Sequence, residues 1–269
     1  MTGLTVDQRA GLAHAAREIA TAAREVPLRH FRRGFAVEAK ADESPVTVAD
    51  RETEAAIRAE IGRRYPGHGI LGEEFGRAGL DAEFVWVVDP IDGTKSFISG
   101  HPMWGTLLGL LHMGEPVAGL VGMPALGELA WGGPGLGAWL AQDGAEAPTA
   151  LHVREGVEPG AAFVAINEAP RILAAQPAAL GALLAEGRYQ RATADCYSYV
   201  QLAAGWIDGV VDYGLEPFDY LPVLPLVEAA GGVMTDWEGR PLRIGSDGRV
   251  VAGSPAVHAR LVEVLAPFA

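Results

Sequence analysis

Two carboxylates stand three residues apart at the end of an apolar run. They are Asp89 and Asp92, in the segment VVDPIDGTKSF that covers residues 87–97. Two carboxylates this close repel one another unless a positive charge lies between them. The pair therefore either caps a turn or holds a cation, and hard cations such as Mg²⁺ prefer oxygen ligands of this kind. Pro90 has no N–H and bends the strand end, which could turn the Ile91 carbonyl toward the same point.

Further carboxylates lie near the predicted ends of other elements, where side chains can converge on a cleft. Glu73 and Glu74 follow a glycine after an apolar pair. Asp219 opens a predicted helix, and Asp50 lies in the first turn of another. Each acid taken singly is more simply explained as a helix cap or an exposed charge. Their combination with Asp-Pro-Ile-Asp-Gly-Thr after a buried strand instead favours a metal site.

The two residues after Asp92 favour phosphate chemistry. Gly93 and Thr94 offer backbone N–H groups at a predicted helix start, which is a natural place for an anion. A cation beside such a cradle would neutralise a phosphate ester and lower the pKa of a bound water. Thr94 and Asp50 could orient that water and take its proton.

Competing chemistries leave recognisable motifs that this sequence does not contain. The haloacid dehalogenase type of phosphatase uses Asp-x-Asp, whereas the spacing here is three, and a cysteine phosphatase would need Arg where Leu202 stands. No P-loop motif occurs, and the glycines of GGPGLG predict a hairpin turn. The seven histidines do not have zinc-ligand spacing, although His101 is close to the proposed site. Cys196 is expected to be a buried small side chain.

Composition narrows the class of protein. The chain has 269 residues, 49% of them apolar, and a formal net charge of −13, which disfavours binding to a nucleic-acid backbone. The N-terminal segment carries charges throughout and predicts no signal peptide, and no charge-free apolar stretch is long enough to predict a membrane span. The single cysteine excludes an internal disulfide and fits a reducing compartment. We therefore expect a cytoplasmic protein that binds neither nucleic acid nor membrane.

The predicted helices and strands that carry the acidic residues follow a different pattern before and after residue 145. Residues 1–145 predict an α+β half that carries most of the candidate metal ligands. It has a helix that begins after Thr5, a helix capped by Thr47, and antiparallel hairpins. Residues 146–269 predict an α/β half that carries Asp219 and the residues expected to set specificity. We expect the halves to pack as layers around one cleft. AVEAKADESP is expected to be a loop, and FDYLPVLPLVEAAGG one helix.

Together these motifs resemble the inositol monophosphatase superfamily of Mg²⁺-dependent, typically lithium-sensitive phosphomonoesterases. GILGEE, WVVDPIDGTKSF and FDYLPVLPLVEAAGG look like its three metal-site motifs, in the expected order, and PVTVADRETE looks like the segment that carries a catalytic aspartate. The resemblance implies a layered α-β-α-β-α sandwich of the inositol monophosphatase and fructose-1,6-bisphosphatase type, often dimeric. It implies two or three Mg²⁺ ions, and a loop around Lys40 that closes over the site.

The resemblance also implies a role for each site residue. The implied metal ligands are Glu73, Asp89, the Ile91 carbonyl, Asp92 and Asp219. Thr94 and Asp50 would activate the attacking water, and Gly93 and Thr94 would bind the phosphate. Glu74 would support these ligands or hold a water on a further ion.

Three details resemble histidinol-phosphate phosphatases more than inositol-type enzymes. Lys95-Ser96 follows Thr94 where inositol-type enzymes commonly carry Thr-Asn, and HPMWGTLLGLL and ADCYSYVQLAAGWIDGVVDYGLEPFDYLP are similar to motifs of the histidinol group. L-Histidinol phosphate, an intermediate of histidine biosynthesis, carries an ammonium and an imidazole, so its pocket should offer anionic groups. Asp195 and Asp212 are the candidates. The alternative is that Asp195 only caps its helix and Asp212 only ends a strand.

Three other functions stay open at this stage. Inositol-1-monophosphatase and 3′-phosphoadenosine 5′-phosphate phosphatase belong to the same superfamily, but the second would need more basic residues than Arg188 and Arg191 for its extra phosphate. A regulatory binding protein belongs to a different class, and the intact set of ligands argues against a purely non-catalytic role.

Overall fold

A computed structural model of the chain describes residues 3–33, 37–39, 45–192 and 195–269. In these ranges the helices are α1 Val6–Ala23, α2 Glu25–His30, α3 Val48–Arg64, α4 Thr94–Ile98, α5 Ala169–Ala175, α6 Pro177–Leu183, α7 Tyr197–Ala203, α8 Pro217–Tyr220, α9 Leu224–Ala229 and α10 Pro255–Leu265. The strands are β1 Val37–Ala39, β2 Pro45–Thr47, β3 Gly69–Gly72, β4 Gly76–Ala78, β5 Phe84–Asp92, β6 Gly105–His112, β7 Glu115–Met123, β8 Glu128–Gly133, β9 Gly137–Gln142, β10 Thr149–Leu151, β11 Phe163–Ile166, β12 Tyr189–Ala192, β13 Gly209–Asp212, β14 Val233–Asp236 and β15 Val250–Gly253.

Two large sheets organise these elements. The first sheet has eight strands in the order β10-β9-β8-β7-β6-β5-β3-β4, and the second has five in the order β12-β11-β13-β15-β14. Helices α1 and α3 cover the outer face of the first sheet, α7 and α9 lie between the sheets, and α10 packs on the outer face of the second. This order of layers is the α-β-α-β-α sandwich that the sequence predicts, so the expected fold class is confirmed.

Local sequence explains where the two long helices begin. Thr5 and Gln8 form a reciprocal capping box at the start of α1, and Thr47 and Asp50 form another at the start of α3. Each box satisfies backbone N–H groups that would otherwise lack partners in the first turn. Both N-cap predictions are therefore confirmed. The second box also fixes Asp50 in place, which matters for the site.

Apolar side chains fill the spaces between the layers and hold the layers together. One cluster lies between the two sheets and includes Leu107, Val200 and Leu226, all almost fully buried. A second cluster fills the space between the first sheet and the two outer helices, where Trp86 has no exposed surface. β5 contributes to both clusters from its two faces, which is why its sequence reads as a continuous apolar run rather than an alternating one.

The structure differs from the sequence prediction in several short elements. β1 lies inside the segment predicted to be a loop, residues 36–45, and pairs antiparallel with β2 at its end, with Val37 opposite Thr47. β4, β10 and β12 were not predicted, because strands of three or four residues carry almost no periodicity. The segment predicted as one helix at residues 218–232 forms α8 and α9 instead. Pro222 lies in the break, where it lacks the N–H that a continuous helix needs.

Two further expectations from the sequence concern membrane-spanning helices and the loop around Lys40. Among the described helices, none combines the length and the apolar character needed to cross a bilayer. Lys40, expected in a loop that closes over the site, lies outside the described residues.

Candidate active site

A bulge at the end of β5 shapes the Asp-Pro-Ile-Asp segment. β5 pairs with β6 up to Asp89, and the register shifts before the pairing resumes at Asp92. The Ile91 N–H donates to Asp89 Oδ1 at 3.0 Å, and the Thr106 hydroxyl donates to the Pro90 carbonyl at 2.9 Å. Two residues thus leave the ladder between the aspartates, which lets both carboxylates reach one side of the strand end.

Three aspartates converge on one point of a cleft of about 140 Å³. One carboxylate oxygen from each of Asp89, Asp92 and Asp219 lies within 4.8 Å of the other two. Glu73 lines the same cleft, and its charge is near enough to raise the pKa of Asp89. Four of the five predicted metal ligands therefore present carboxylates here, and the fifth, the Ile91 carbonyl, belongs to the bulge.

Burial and mutual repulsion disfavour the charged forms of the carboxylates in the cluster. Burial is the largest cause that raises the pKa of Asp89 and of Asp219 well above the ordinary value, and the neighbouring carboxylates raise both further. The pKa of Asp92 is raised to about 7, first by burial and then by the charge of Asp195. Buried carboxylates that repel one another need either protons or a cation. An all-oxygen donor set fits a hard divalent ion such as Mg²⁺.

The other two predicted carboxylate ligands, Glu73 and Asp219, lie just after β3 and in the first turn of α8. Glu73 follows β3, and its N–H donates to the Val88 carbonyl of β5 at 3.2 Å. Asp219 lies in the first turn of α8, where Glu216 is the N-cap and donates its N–H to Asp219 Oδ2 at 2.7 Å. Asp219 is therefore not the N-cap of its helix. One of its oxygens also lies within 4.8 Å of an oxygen of Asp89 and of Asp92, so capping alone does not account for the residue.

Asp50 is almost fully buried, and Glu74 is close enough to act on it electrostatically. Asp50 is 1% exposed and accepts hydrogen bonds from the Thr47 N–H at 2.8 Å and the Thr47 hydroxyl at 2.5 Å. Burial raises the pKa of Asp50, and the charge of Glu74 adds to that shift. The described residues that line the cleft include neither of them. Their predicted roles in catalysis and in support of the metal ligands stay predictions.

Glu54 is a supporting residue that sequence reasoning missed. It is fully buried, accepts from the Glu74 N–H at 2.6 Å and from the Phe75 N–H at 3.2 Å, and pairs with Arg58 at 2.7 Å. It therefore fixes the turn that carries Glu73. A signal was present, because Glu54 stands four residues before Arg58, the spacing of an ion pair along one helix face.

Gly93 and Thr94 begin α4, as predicted. Gly93 has a φ of 78° and is the N-cap, and the Thr94 hydroxyl donates to the Ile91 carbonyl at 3.2 Å. A Cβ on residue 93 would lie 3.0 Å from the Asp195 carboxyl carbon, so both the backbone angle and the close approach favour glycine. Both residues line the cleft. Whether their N–H groups bind phosphate stays a prediction.

Asp195 lies on the opposite wall and does not cap its helix. The N-cap of α7 is Cys196, without a side-chain cap, and Asp195 has a φ of 43°. Its carboxylate instead accepts a 2.5 Å hydrogen bond from the Ser96 hydroxyl. The Cys196 N–H donates to Asp92 Oδ2 at 2.7 Å. The helix-cap explanation for Asp195 is therefore wrong. The bond from Cys196 to Asp92 connects the start of α7 to the acidic cluster.

Asp212 ends β13, as predicted, but it is buried within a hydrogen-bond network. It accepts from Asn167 Nδ2 at 2.9 Å, from the Tyr199 hydroxyl at 3.3 Å and from the Tyr213 N–H at 3.0 Å. Burial is the largest cause that raises the pKa of Asp212 to about 7. The side chain lines the cleft, yet most of its acceptor capacity is already used within the protein.

Sequence reasoning also missed the residues that follow β11. Asn167 and Glu168 both line the cleft, and Glu168 pairs with Lys95 at 2.8 Å and with Arg171 at 3.4 Å. Polar residues directly after the apolar strand run FVAI gave the available signal, because strand ends commonly carry site residues. Cys196 is 3% exposed, and burial raises the pKa of its thiol, as expected for a small core side chain.

A second pocket of about 320 Å³ adjoins the cleft and shares Lys95, Glu168 and Asp195 with it. Ser96 and His101 also line this pocket, so the expectation that His101 lies near the site is confirmed. Asp195 lines both this pocket and the cleft that contains the acidic cluster. A phosphate held near the aspartates would therefore have room for its alcohol group on the side of Asp195.

Comparisons with known proteins agree with this geometry. Residues 8–267 match the family described as the inositol monophosphatase family. The chain is 35% identical over 241 residues to a histidinol-phosphatase from Chlorobaculum parvum, covering 88% of this chain and 90% of that protein. It is 37% identical over 237 residues to the bifunctional phosphatase IMPL2, chloroplastic, from Arabidopsis thaliana, covering 82% of this chain but 63% of the plant protein.

A solved structure shows the same fold. An inositol monophosphatase from Zymomonas mobilis superposes with a TM-score of 0.83 at 32% sequence identity, covering 94% of this chain and 97% of that one. The match includes both sheets, since it covers nearly the whole chain. Relatives with histidinol and with inositol names are thus found at similar levels of identity.

Proposed function

The chain belongs to the inositol monophosphatase family of metal-dependent phosphatases, and from this premise we propose that it hydrolyses L-histidinol phosphate to L-histidinol and phosphate. The observation that carries the choice of substrate is Asp195. Its carboxylate lies between the acidic cluster and the adjoining pocket, where the alcohol part of a phosphate ester would extend.

The acidic cluster is the proposed metal centre. Glu73, Asp89, the Ile91 carbonyl, Asp92 and Asp219 would hold Mg²⁺, as two or three ions. When bound, Mg²⁺ would neutralise the phosphate and lower the pKa of a coordinated water. The donor set supports this assignment, because three of the carboxylates have raised pKa values that a cation would reverse.

Thr94 and Asp50 are the proposed residues for water activation. The Thr94 hydroxyl lies 3.2 Å from the Ile91 carbonyl and would orient the attacking water in the cleft. Asp50 would accept its proton. Burial raises the pKa of Asp50, which makes its carboxylate a stronger base than an exposed aspartate. The N–H groups of Gly93 and Thr94 would hold the phosphate oxygens.

Asp195 is the proposed partner of the substrate ammonium. Among the described residues, no lysine or arginine forms an ion pair with Asp195, whereas the neighbouring Glu168 is paired with Lys95 and Arg171. Burial raises the pKa of Asp195 despite the nearby charges of Lys95 and His101, so a cationic substrate would further stabilise its carboxylate form. Asp212 is buried and accepts hydrogen bonds from Asn167 and Tyr199. It would contribute by holding these two side chains in position at the cleft.

An inositol phosphate is the second candidate substrate, because a solved inositol monophosphatase matches nearly the whole chain. Its hydroxyl groups would need neutral hydrogen-bond partners, and Ser96 and Asn167 could serve. It would add no positive charge beside the Asp195 carboxylate, whose charged form burial disfavours, which is the reason we place it second.

The two substrates can be separated by a phosphate-release assay on the purified protein. The panel contains L-histidinol phosphate, inositol 1-phosphate and 3′-phosphoadenosine 5′-phosphate, each with Mg²⁺ and with excess chelator. We expect kcat/KM to be highest for L-histidinol phosphate and activity to vanish with chelator. A higher value for inositol 1-phosphate would reject the substrate assignment, and full turnover in chelator would reject the metal mechanism.

Other properties of this function stay proposals. A homodimer, lithium sensitivity and a cytoplasmic location would fit a phosphatase of this family. A division into residues 1–145 and 146–269 is also a proposal, and the first sheet crosses it, because its edge strand β10 lies in the second segment.

A further inference from the structure

Two carboxylates border the space into which the alcohol part of a phosphate ester would extend. Glu168 and Asp195 both line the catalytic cleft, and both also line the adjoining pocket of about 320 Å³. Burial is the largest cause that raises the pKa of Asp195, and the charge of Glu168 raises it further. The two carboxylates are therefore close enough to repel one another, and a positive charge beside them would relieve that repulsion.

The backbone conformation of these two residues is unusual. Glu168 has a φ of 45° and Asp195 a φ of 43°. Residues other than glycine seldom occupy this region, and those that do are common at functional sites. Neither side chain caps the helix that follows it, because α5 and α7 both begin without a side-chain cap. Helix capping therefore does not explain why the two carboxylates stand here.

Lys95 already supplies a positive charge to both carboxylates. Its Nζ lies 2.8 Å from Glu168 Oε1, and its charge lowers the pKa of Asp195. Like the two acids, Lys95 lines both the cleft and the adjoining pocket. A cation that belongs to the protein thus lies where a cationic group of the substrate would bind.

The ion pair of Lys95 is easily broken. The lysine side chain is 63% exposed, and ion pairs of exposed side chains contribute little because water solvates the released charge. Within the described part of the chain, the Lys95 ammonium forms no other ion pair. Arg171 is held more firmly, because it contacts Glu168 Oε2 at 3.4 Å and also donates to the Gly214 carbonyl at 3.0 Å. Lys95 can therefore leave Glu168 while Arg171 stays.

We propose that Glu168 and Asp195 form a two-carboxylate subsite for a cationic alcohol group, and that Lys95 is a resident cation which such a group displaces from Glu168. This inference rests on the proposed function for the identity of the substrate. A neutral alcohol group would leave the Lys95 pair intact and would gain no ionic contact. Lys95 is therefore a specificity-determining residue, since a cationic group must compete with it to reach Glu168.

The competition predicts a gain of selectivity when the lysine is removed. The measurement is the ratio of kcat/KM for L-histidinol phosphate to that for glycerol 2-phosphate, on the Mg²⁺-loaded protein. Lys95→Met should raise this ratio by about two- to fivefold, which corresponds to the free energy of an exposed ion pair. The rise should come from KM, because the displacement precedes the chemical step. Lys95→Arg keeps the charge and should restore the wild-type ratio.

The opposite result has a clear meaning. If the Lys95 ammonium binds the phosphate group instead, Lys95→Met should lower kcat/KM equally for both substrates, because both carry the same phosphate. An unchanged ratio in Lys95→Met would therefore overturn the proposal.

A double-mutant cycle tests whether Lys95 acts through Glu168. Glu168→Gln should lower the ratio by about tenfold, at the lower end of the range for a charge-assisted contact, because Glu168 is partly exposed. In the Glu168→Gln protein, Lys95→Met should leave the ratio unchanged, since no ion pair remains to be broken. The two substitutions should thus be non-additive. Additive effects would contradict the displacement of Lys95 from Glu168.

Arg63→Met is the matched control. Arg63 is 64% exposed and lies 2.8 Å from Glu60, so it forms an ion pair of the same exposure and length as that of Lys95. It lines neither the cleft nor the adjoining pocket. Arg63→Met should therefore show the wild-type ratio. A rise as large as that in Lys95→Met would show that the ratio follows the net charge of the protein, and would refute the role of Lys95.

Binding of the free alcohol separates this inference from the proposed function. Isothermal calorimetry with L-histidinol on the Mg²⁺-loaded protein requires neither phosphate nor turnover. We expect Lys95→Met to bind L-histidinol about two- to fivefold more tightly than the wild type, and Glu168→Gln about tenfold more weakly. These affinities together with a preference for inositol 1-phosphate in the substrate panel would support the subsite and reject the proposed function. Equal affinity in the three proteins, or no binding to any of them, would overturn the subsite whichever phosphate ester is hydrolysed fastest.

Discussion

Replacing Asp195 with asparagine gives the sharpest test of substrate choice. The residue has a φ of 43°, and asparagine tolerates this left-handed region better than most side chains. Its amide oxygen can still accept from the Ser96 hydroxyl, which now lies 2.5 Å from the carboxylate. Asp195→Asn therefore removes one negative charge with little change in shape, and its effect can be assigned to charge.

The expected loss follows from the surroundings of the carboxylate. A hydrogen bond between charged groups contributes about 1.5–3 kcal/mol, which corresponds to roughly 10- to 150-fold in kcat/KM. Asp195 is partly exposed, so solvent screens the contact and we expect the lower part of this range. The Asp195 charge also raises the pKa of Asp92. Its removal therefore alters the acidic cluster slightly for every substrate, and only a ratio between substrates isolates the effect on binding.

The assay compares kcat/KM for L-histidinol phosphate with that for glycerol 2-phosphate, which has a neutral alcohol group, at saturating Mg²⁺. Asp195→Asn should lower the first by tenfold or more and change the second little. Ser96→Ala is the matched control, because it removes the hydrogen bond and keeps the charge. It should affect both substrates alike. Equal losses on both substrates in Asp195→Asn would mean that the residue is structural, and the reasoning from charge would be refuted.

Three further outcomes are expected. Asp92→Asn should abolish most activity and Mg²⁺ binding while circular dichroism stays unchanged, since an asparagine oxygen can still accept from the Cys196 N–H; retained Mg²⁺ binding by calorimetry would contradict the metal assignment. Thr94→Ala should lower kcat by ~10²–10⁴-fold with a smaller effect on KM, if its hydroxyl orients the attacking water; a change in KM alone would show a binding role only. Burial lowers the pKa of His258, so this neutral imidazole stabilises the fold fully above its unfolded pKa of about 6.5, and that contribution is lost as the pH falls through the lower folded value. Urea unfolding should therefore show the stability difference between wild type and His258→Gln shrinking as the solution is acidified, and a constant difference would argue against the assignment.

The parts of the fold that the sequence predicts are those with local causes. The capping boxes at Thr5 and Thr47 involve residues three apart, and a hairpin at Gly114 needs only a turn between two apolar runs. The acidic motif at Asp89 and Asp92 could be found for the same reason, because its spacing and its position after a buried strand are both visible in one short segment. Such features do not depend on what the rest of the chain does.

The parts that could not be predicted depend on distant contacts. The alternative that Asp195 only caps its helix could be rejected only with the structure, where its carboxylate accepts from Ser96, 99 residues earlier. Glu54 is buried because it accepts two N–H groups from a turn about twenty residues away. The short strand β12 exists only because β11 offers it a parallel neighbour. Single-sequence patterns carry no information on such pairs, which is why Glu54 and the residues that follow β11 were missed.

The hydrogen bond from Cys196 to Asp92 joins residues 104 apart in the chain, which has a consequence for how the protein is made. While the ribosome is still synthesising the segment before Cys196, the first sheet can form, but its buried Asp92 carboxylate has neither this partner nor Asp219 nearby. Contacts between such distant residues form late, because the intervening chain must first give up its freedom. The nascent first sheet would thus expose an incomplete acidic edge until residue 219 has emerged. Cation binding would then stabilise the chain only after synthesis has passed that point, so Mg²⁺ would favour the finished protein over its truncated forms.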